Sequence, residues 1–87
     1  MTVARVPTLL ISGPVGVGKS TVADEVSSLL SRREVPHTLV DLDVLAATFP
    51  RPDDDPFHQQ LGLDNLASIW ANARAAGSRN LVIARVV

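Results

Sequence analysis

Apolar positions along the chain fall into five groups, each with its own spacing. Thr8 to Ser12 (TLLIS) is a short run between Pro7 and Gly13. Its length and flanks predict a strand buried on both faces, as in a parallel sheet. Val22, Val26, Leu29 and Leu30 then recur at i, i+4, i+7 and i+8, the stripe of an amphipathic helix. That helix is expected from about Lys19 to Arg33, ending before Pro36, with Arg32 and Arg33 complementing its dipole. Thr38 to Leu42 (TLVDL) predicts a second strand that runs out into Asp41 and Asp43, and Val44 to Thr48 a short helix. Leu66, Ile69, Trp70 and Ala73 repeat at i, i+3, i+4 and i+7, which predicts a long helix over about Leu63 to Ala76 with Gly77 as its C′ residue. Leu81 to Val87 (LVIARVV) is a β-branched run and the third expected strand. Between these lies Phe49 to Phe57 (FPRPDDDPF), whose prolines and successive aspartates mark a surface loop.

Strands alternating with helices at this spacing require crossover connections, hence an α/β fold with a parallel sheet. At 87 residues the chain has room for one domain, 1–87, with a modest core. Apolar content of 46% against 20% charged is that of a folded soluble protein. The net charge of −1 and the lack of a basic stripe argue against nucleic acid as a partner. No run is long and apolar enough to span a membrane, and no secretory segment is recognisable. The absence of cysteine rules out disulfides and thiolate metal sites and suits a reducing compartment, so a cytoplasmic location is expected.

The chemistry concentrates after the first strand. Gly13-Pro14-Val15-Gly16-Val17-Gly18-Lys19-Ser20-Thr21 contains G-x-x-x-x-G-K-[ST] in full, with the expected strand before it and helix after it. Glycines at 13, 16 and 18 let the backbone curl so that successive N–H groups converge on an anion. The N-terminus of the following helix adds unpaired N–H groups and the positive end of its dipole. Lys19 supplies a point charge for the β- and γ-phosphates, Ser20 a hydroxyl for Mg²⁺, and Thr21 a second hydroxyl near the α-phosphate. A glycine-rich turn with an incidental lysine is the plainer reading, and the flanking strand and helix weigh against it.

GPVGVGKST, followed after one crossover by VDLD, resembles the P-loop NTPases. Within them it is most similar to the small-molecule kinases such as adenylylsulfate, gluconate and shikimate kinases, whose second strand commonly ends in a D-x-D-like pair. The resemblance runs from Thr8 to the last strand. It implies a three-layer fold with strand order 2-3-1, ATP or another NTP as substrate with Mg²⁺, and an unidentified small-molecule acceptor. It also implies roles for the aspartates: Asp41 in placing the metal with Ser20, and Asp43, beside Lys19, in catalysis as contact or general base for the acceptor hydroxyl. Both carboxylates serve one site only if the chain bends after Asp41. Capping of the short helix is the alternative role for Asp43.

Other residues are expected to be structural. Asp53, Asp54 and Asp55 read as solvated loop, His37 and His58 as surface residues, and Trp70 as core. Arg51 and Arg74 have no motif around them. The departures from the kinases concern what surrounds the loop. LVIARVV holds no acidic residue at the place of a Walker B aspartate, and Arg85 occupies a strand where an apolar residue is expected. The lid arginine, the adenine-binding loop and the further strands of such kinases have no counterpart, so the chain is expected to be the N-terminal half of the fold, truncated after the third strand. Leu9, Leu10 and Ile11 would then lie on an open edge that invites self-association. A nucleotide-binding or NTP-hydrolysing module, and a non-catalytic fragment, are the alternatives to a kinase.

Overall fold

In the computed structural model residues 6–13 and 18–86 are described. They form three strands and three helices: β1 (Thr8–Gly13), α1 (Lys19–Arg32), β2 (His37–Asp41), α2 (Leu42–Leu45), α3 (Gln59–Ala75) and β3 (Asn80–Val86). The strands make one open parallel sheet in the order β1-β3-β2, which is the 2-3-1 order expected, counted from the other edge. The chain passes from β1 over β3 to β2, then returns to β3. Right-handed crossovers in these opposite senses put α1 and α3 on opposite faces of the sheet.

The central strand carries the core. Leu81, Val82 and Ala84 of β3 are buried with Val40 of β2 and Ala23 of α1, and Val82 is the most enclosed at 2% exposure. β1 pairs on one side only, from Thr8 opposite Leu81 to Gly13 opposite Val86. Leu9 and Leu10 alternate to opposite faces and are 48% and 54% exposed, so both faces of this edge strand are only partly covered, although α1 touches it. Trp70 is half-buried with Leu66, Ile69 and Ala73 rather than enclosed in the core, because α3 packs mainly on α2 and on the edge strand β2.

The helix ends show how the boundaries are set. α1 closes with Glu34 N–H bonded to Ser31 O at 3.0 Å and Val35 N–H to Leu30 O at 2.9 Å. This is a Schellman arrangement in which Glu34, at φ 56°, takes the left-handed position that glycine usually fills. α3 ends the same way on Gly77 at φ 107°, with Gly77 N–H on Arg74 O and Ser78 N–H on Ala73 O, as expected for that glycine.

β2 and β3 each begin one residue earlier than expected, and β2 stops at Asp41 rather than Leu42; two helix starts differ by more. α3 begins at Gln59, four residues before Leu63, because the Asp55 carboxylate accepts from Gln59 N–H at 2.9 Å and Gln60 N–H at 3.1 Å. Those bonds satisfy donors that an α-helix otherwise leaves open at its start. α2 spans Leu42–Leu45, earlier than Val44 to Thr48. Its cap is Asp41, whose Oδ1 accepts the Asp43 N–H at 3.0 Å. The capping role considered for Asp43 therefore belongs to Asp41.

The Phe49–Phe57 loop contains neither helix nor strand, as expected. It is braced by His58 Nε2–H donating to Pro50 O and by Arg51 donating to Pro56 O at 3.2 Å. His37 is likewise more than a surface residue. Its Nδ1–H donates to Val35 O at 2.9 Å, and in the neutral ring Nε2 then accepts from the Ser27 hydroxyl at 2.7 Å, tying α1 to β2. Asp53 and Asp54 are exposed, whereas Asp55 works as a helix cap.

Candidate functional site

The carboxyl ends of all three strands meet at one edge of the sheet, where α/β folds bind ligands. Gly13 ends β1 and is buried opposite Val86. Gly18, at φ 77°, immediately precedes α1; this left-handed value is what a residue other than glycine would resist. Pro14, Val15, Gly16 and Val17 lie outside the described residues. Lys19 and Ser20 open α1, and their side chains also lie outside what is described. Thr21 follows, exposed, in the first turn. Val22 N–H bonds back to Gly18 O at 3.1 Å, so the helical ladder starts at the end of the glycine-rich motif.

Across the sheet, β2 ends at Asp41, which pairs with Ala84. The chain then turns directly into α2, supplying the bend that the two aspartates need. Asp41 is half-buried and holds the turn together; Asp43 is exposed in the first turn of α2. One strand separates Asp41 from Gly13, and their partners on β3 are two residues apart. At ordinary strand spacing and rise, their backbones are roughly 10–12 Å apart.

Arg85 lies between them. It is the penultimate residue of β3, opposite Ser12 of β1 and one step beyond the last pair with β2. That placement accounts for a charge in a strand otherwise apolar: past Ala84 the strand has lost one neighbour and Arg85 is exposed. Together with Leu42, Asp43 and Ala46 from α2, Phe57 from the loop, and Gln59, Gly62 and Leu63 from α3, it lines a cavity of about 460 Å³. Gly62 is buried where α3 crosses α2; a Cβ there would stand 3.3 Å from the Ala46 Cβ and 3.7 Å from Leu42 Cδ1.

The expected site residues thus divide. Gly13, Gly18 and Asp41 lie at the strand ends, and Asp43 faces the cavity, while Arg85, Gln59 and Phe57 join the site without having been expected there. Their signal in the sequence was slight: one cation in an apolar strand, and two residues flanking a proline-rich loop. A shallower cleft of about 590 Å³ runs along α1 past Thr21, Asp24 and Arg32, and among the described residues its lining comes from that helix. Among the described residues no group of three or more histidines, aspartates or glutamates gathers as a metal site, and no helix is long and apolar enough to cross a membrane. No family model matches the chain, and no curated protein or solved structure matches it either.

Proposed function

We propose that the chain binds a nucleoside triphosphate through residues 13–21 and is the nucleotide-binding part of a small-molecule kinase. The observation that carries this reading is the position of the full phosphate-loop motif. It starts on the last residue of a parallel strand and ends, through a left-handed glycine, on the first turn of a helix. The aspartates of the β2–α2 turn, at the same edge of the sheet, favour a kinase over a module that only binds or hydrolyses the nucleotide.

The residues present suit Mg²⁺, which takes oxygen ligands and is commonly held by one or two carboxylates together with substrate phosphates. Ser20 offers a hydroxyl and Asp41 a carboxylate. Asp41 commits Oδ1 to the Asp43 N–H, and a carboxylate has a second oxygen to give. Ser20 and Asp41 would hold the ion, which would supply positive charge against the phosphates. Lys19 holds the β- and γ-phosphates, the loop N–H groups hold the chain of phosphates in line, and Asp43 takes the proton of the acceptor hydroxyl.

Titration of a fluorescent ATP analogue against the full chain with Mg²⁺ tests the reading. Lys19→Ala removes a charge-assisted contact worth on the order of 2 kcal/mol, so affinity is expected to fall at least tenfold. Asp43→Asn is expected to leave it nearly unchanged, because a role confined to transfer does not hold the nucleotide. Equal affinities of the native chain and Lys19→Ala would overturn the phosphate-loop assignment.

A further inference from the structure

One flank of α1 carries an ordered pattern that the proposed phosphate site does not use. Ser27 is bonded to His37 at the start of β2, which fixes the side of α1 turned towards β2. At about 3.6 residues per turn, Val22, Glu25, Leu29 and Arg33 fall on the far flank, above the open side of the edge strand β1. We infer that a second copy of this chain docks on this flank, the two α1 helices packing antiparallel about a two-fold axis at Leu29.

Two observations carry the inference. The first is apolar exposure. Val22 and Leu29 belong to the apolar stripe of the helix, yet they are 48% and 41% exposed, because the sheet beneath them ends at β1. The second is the order of charge. Glu25, Leu29 and Arg33 succeed one another at i, i+4 and i+8, all exposed, so acid, apolar group and base line up along the flank. Such a stripe is complementary to its own reverse. In an isologous pair residue i meets j and j meets i. With Leu29 on the axis, Glu25 of each copy therefore meets Arg33 of the other. Among the described residues neither Glu25 nor Arg33 has a side-chain hydrogen bond or ion pair, so both charges are available for that contact.

The charges also select the occupant and its direction. An unrelated helix would have to carry the same three groups in reverse order, whereas a second copy always does. Parallel packing would set Glu25 against Glu25 and Arg33 against Arg33, and like charges disfavour it. The β1 edge itself, TLLISG, bears no charge that could choose a partner. Exposed ion pairs contribute little to affinity, so Leu29 and Val22 supply the attraction and the charges set the register. The flank of one 14-residue helix buries less than the roughly 1,200 Å² of a standard interface, and the dimer is accordingly weak. Lys19 lies roughly 15 Å along the helix axis from Leu29, outside the contact. The inference is therefore independent of the nucleotide reading.

Sedimentation velocity of the full chain tests it, at concentrations up to about 1 mM, where a weak interface is occupied. The native chain is expected to show a monomer–dimer equilibrium that shifts towards monomer as salt is added. Glu25→Arg and Arg33→Glu each set like charges opposite one another, so each is expected to weaken dimerisation at least about tenfold. An equimolar mixture of the two variants is expected to dimerise again, because each then meets the opposite charge in the other. That recovery also shows that neither variant had lost its fold. A native chain that stays monomeric would overturn the inference. So would variants that associate as the native chain does, which would place the contact on the β1 edge instead. A mixture of folded variants, checked by circular dichroism, that associates no better than either alone would overturn it as well.

Discussion

Gly62 is where stability and the candidate site meet, and filling it has a calculable effect. The residue is buried in the first turns of α3 against α2, and an added Cβ meets the Ala46 Cβ at 3.3 Å, a few tenths of an ångström inside comfortable contact. Two terms oppose each other for Gly62→Ala. Helix propensity favours alanine by up to about 1 kcal/mol, and the close contact takes most of this back unless α2 shifts. The net change is expected to be within about 0.5 kcal/mol of zero, because Ala46 caps a four-residue helix that can give slightly. Gly62→Leu keeps nearly the same propensity gain but drives further atoms towards Leu42, whose Cδ1 and carbonyl lie 3.7 and 3.8 Å from the Cβ position. Overpacking of this kind costs about 1–3 kcal/mol, so the leucine variant is expected to be about 1–2 kcal/mol less stable than the alanine variant. Urea denaturation of the full chain followed by Trp70 fluorescence measures this. With a small-protein slope of about 1 kcal/mol/M, the midpoint should drop by about 1–2 M from alanine to leucine. Adding Ala46→Gly should recover part of the alanine contact. A leucine variant as stable as the alanine variant would refute the packing of α3 on α2 described here.

Glu34→Gly relieves a left-handed backbone at the end of α1 (φ 56°); after the greater freedom of glycine in the unfolded chain, a gain of about 0.5–1 kcal/mol is expected, read as a rise in melting temperature of several degrees. Asp55 is held below its ordinary value of 3.8, first by the backbone N–H of Gln59 and then by that of Gln60. A lowered folded-state value means that its contribution is present above pH 3.8 and lost as pH falls through the lowered value, so the stability gap between the native chain and Asp55→Asn should close on acidification and stay constant above about pH 5. Leu10→Lys places a charge on the open edge of β1, and reduced light scattering at high concentration is expected if that edge mediates self-association; unchanged scattering would exclude it.

The sequence carried most of the fold because its periodic segments are long relative to their ends. α1 was legible almost to the residue, since Gly18 starts it and the arginines close it. The β1-β3-β2 order needed more than periodicity: it came from the resemblance carried by the glycine-rich loop. What stayed hidden was set by single side chains reaching outside their own element. The start of α3 depends on Asp55, which lies in the loop and off the apolar stripe. The cap of α2 depends on whether the strand stops at Asp41 or one residue later, and a run such as TLVDLD does not decide that. Burial on both faces along the whole third strand leaves no place for Arg85. The register ends that burial at Ala84, the last residue of β3 with β2 beside it.

The strand order also explains why a chain with so little core can assemble a site. β3 sits in the middle, so its end brings Arg85 between Gly13 on one side and Asp41 and Asp43 on the other, although these come from three separate stretches of chain. The same strand holds the best-buried residues, Leu81, Val82 and Ala84. Burial and chemistry are therefore stacked along one strand, the core at its middle and the cation at its end. A substitution that loosens Val82 is expected to displace Arg85 and the loop ends together, whereas one confined to Arg85 leaves the sheet intact. This separation makes Arg85 variants informative about binding, because the exposed end of the strand contributes little to holding the fold.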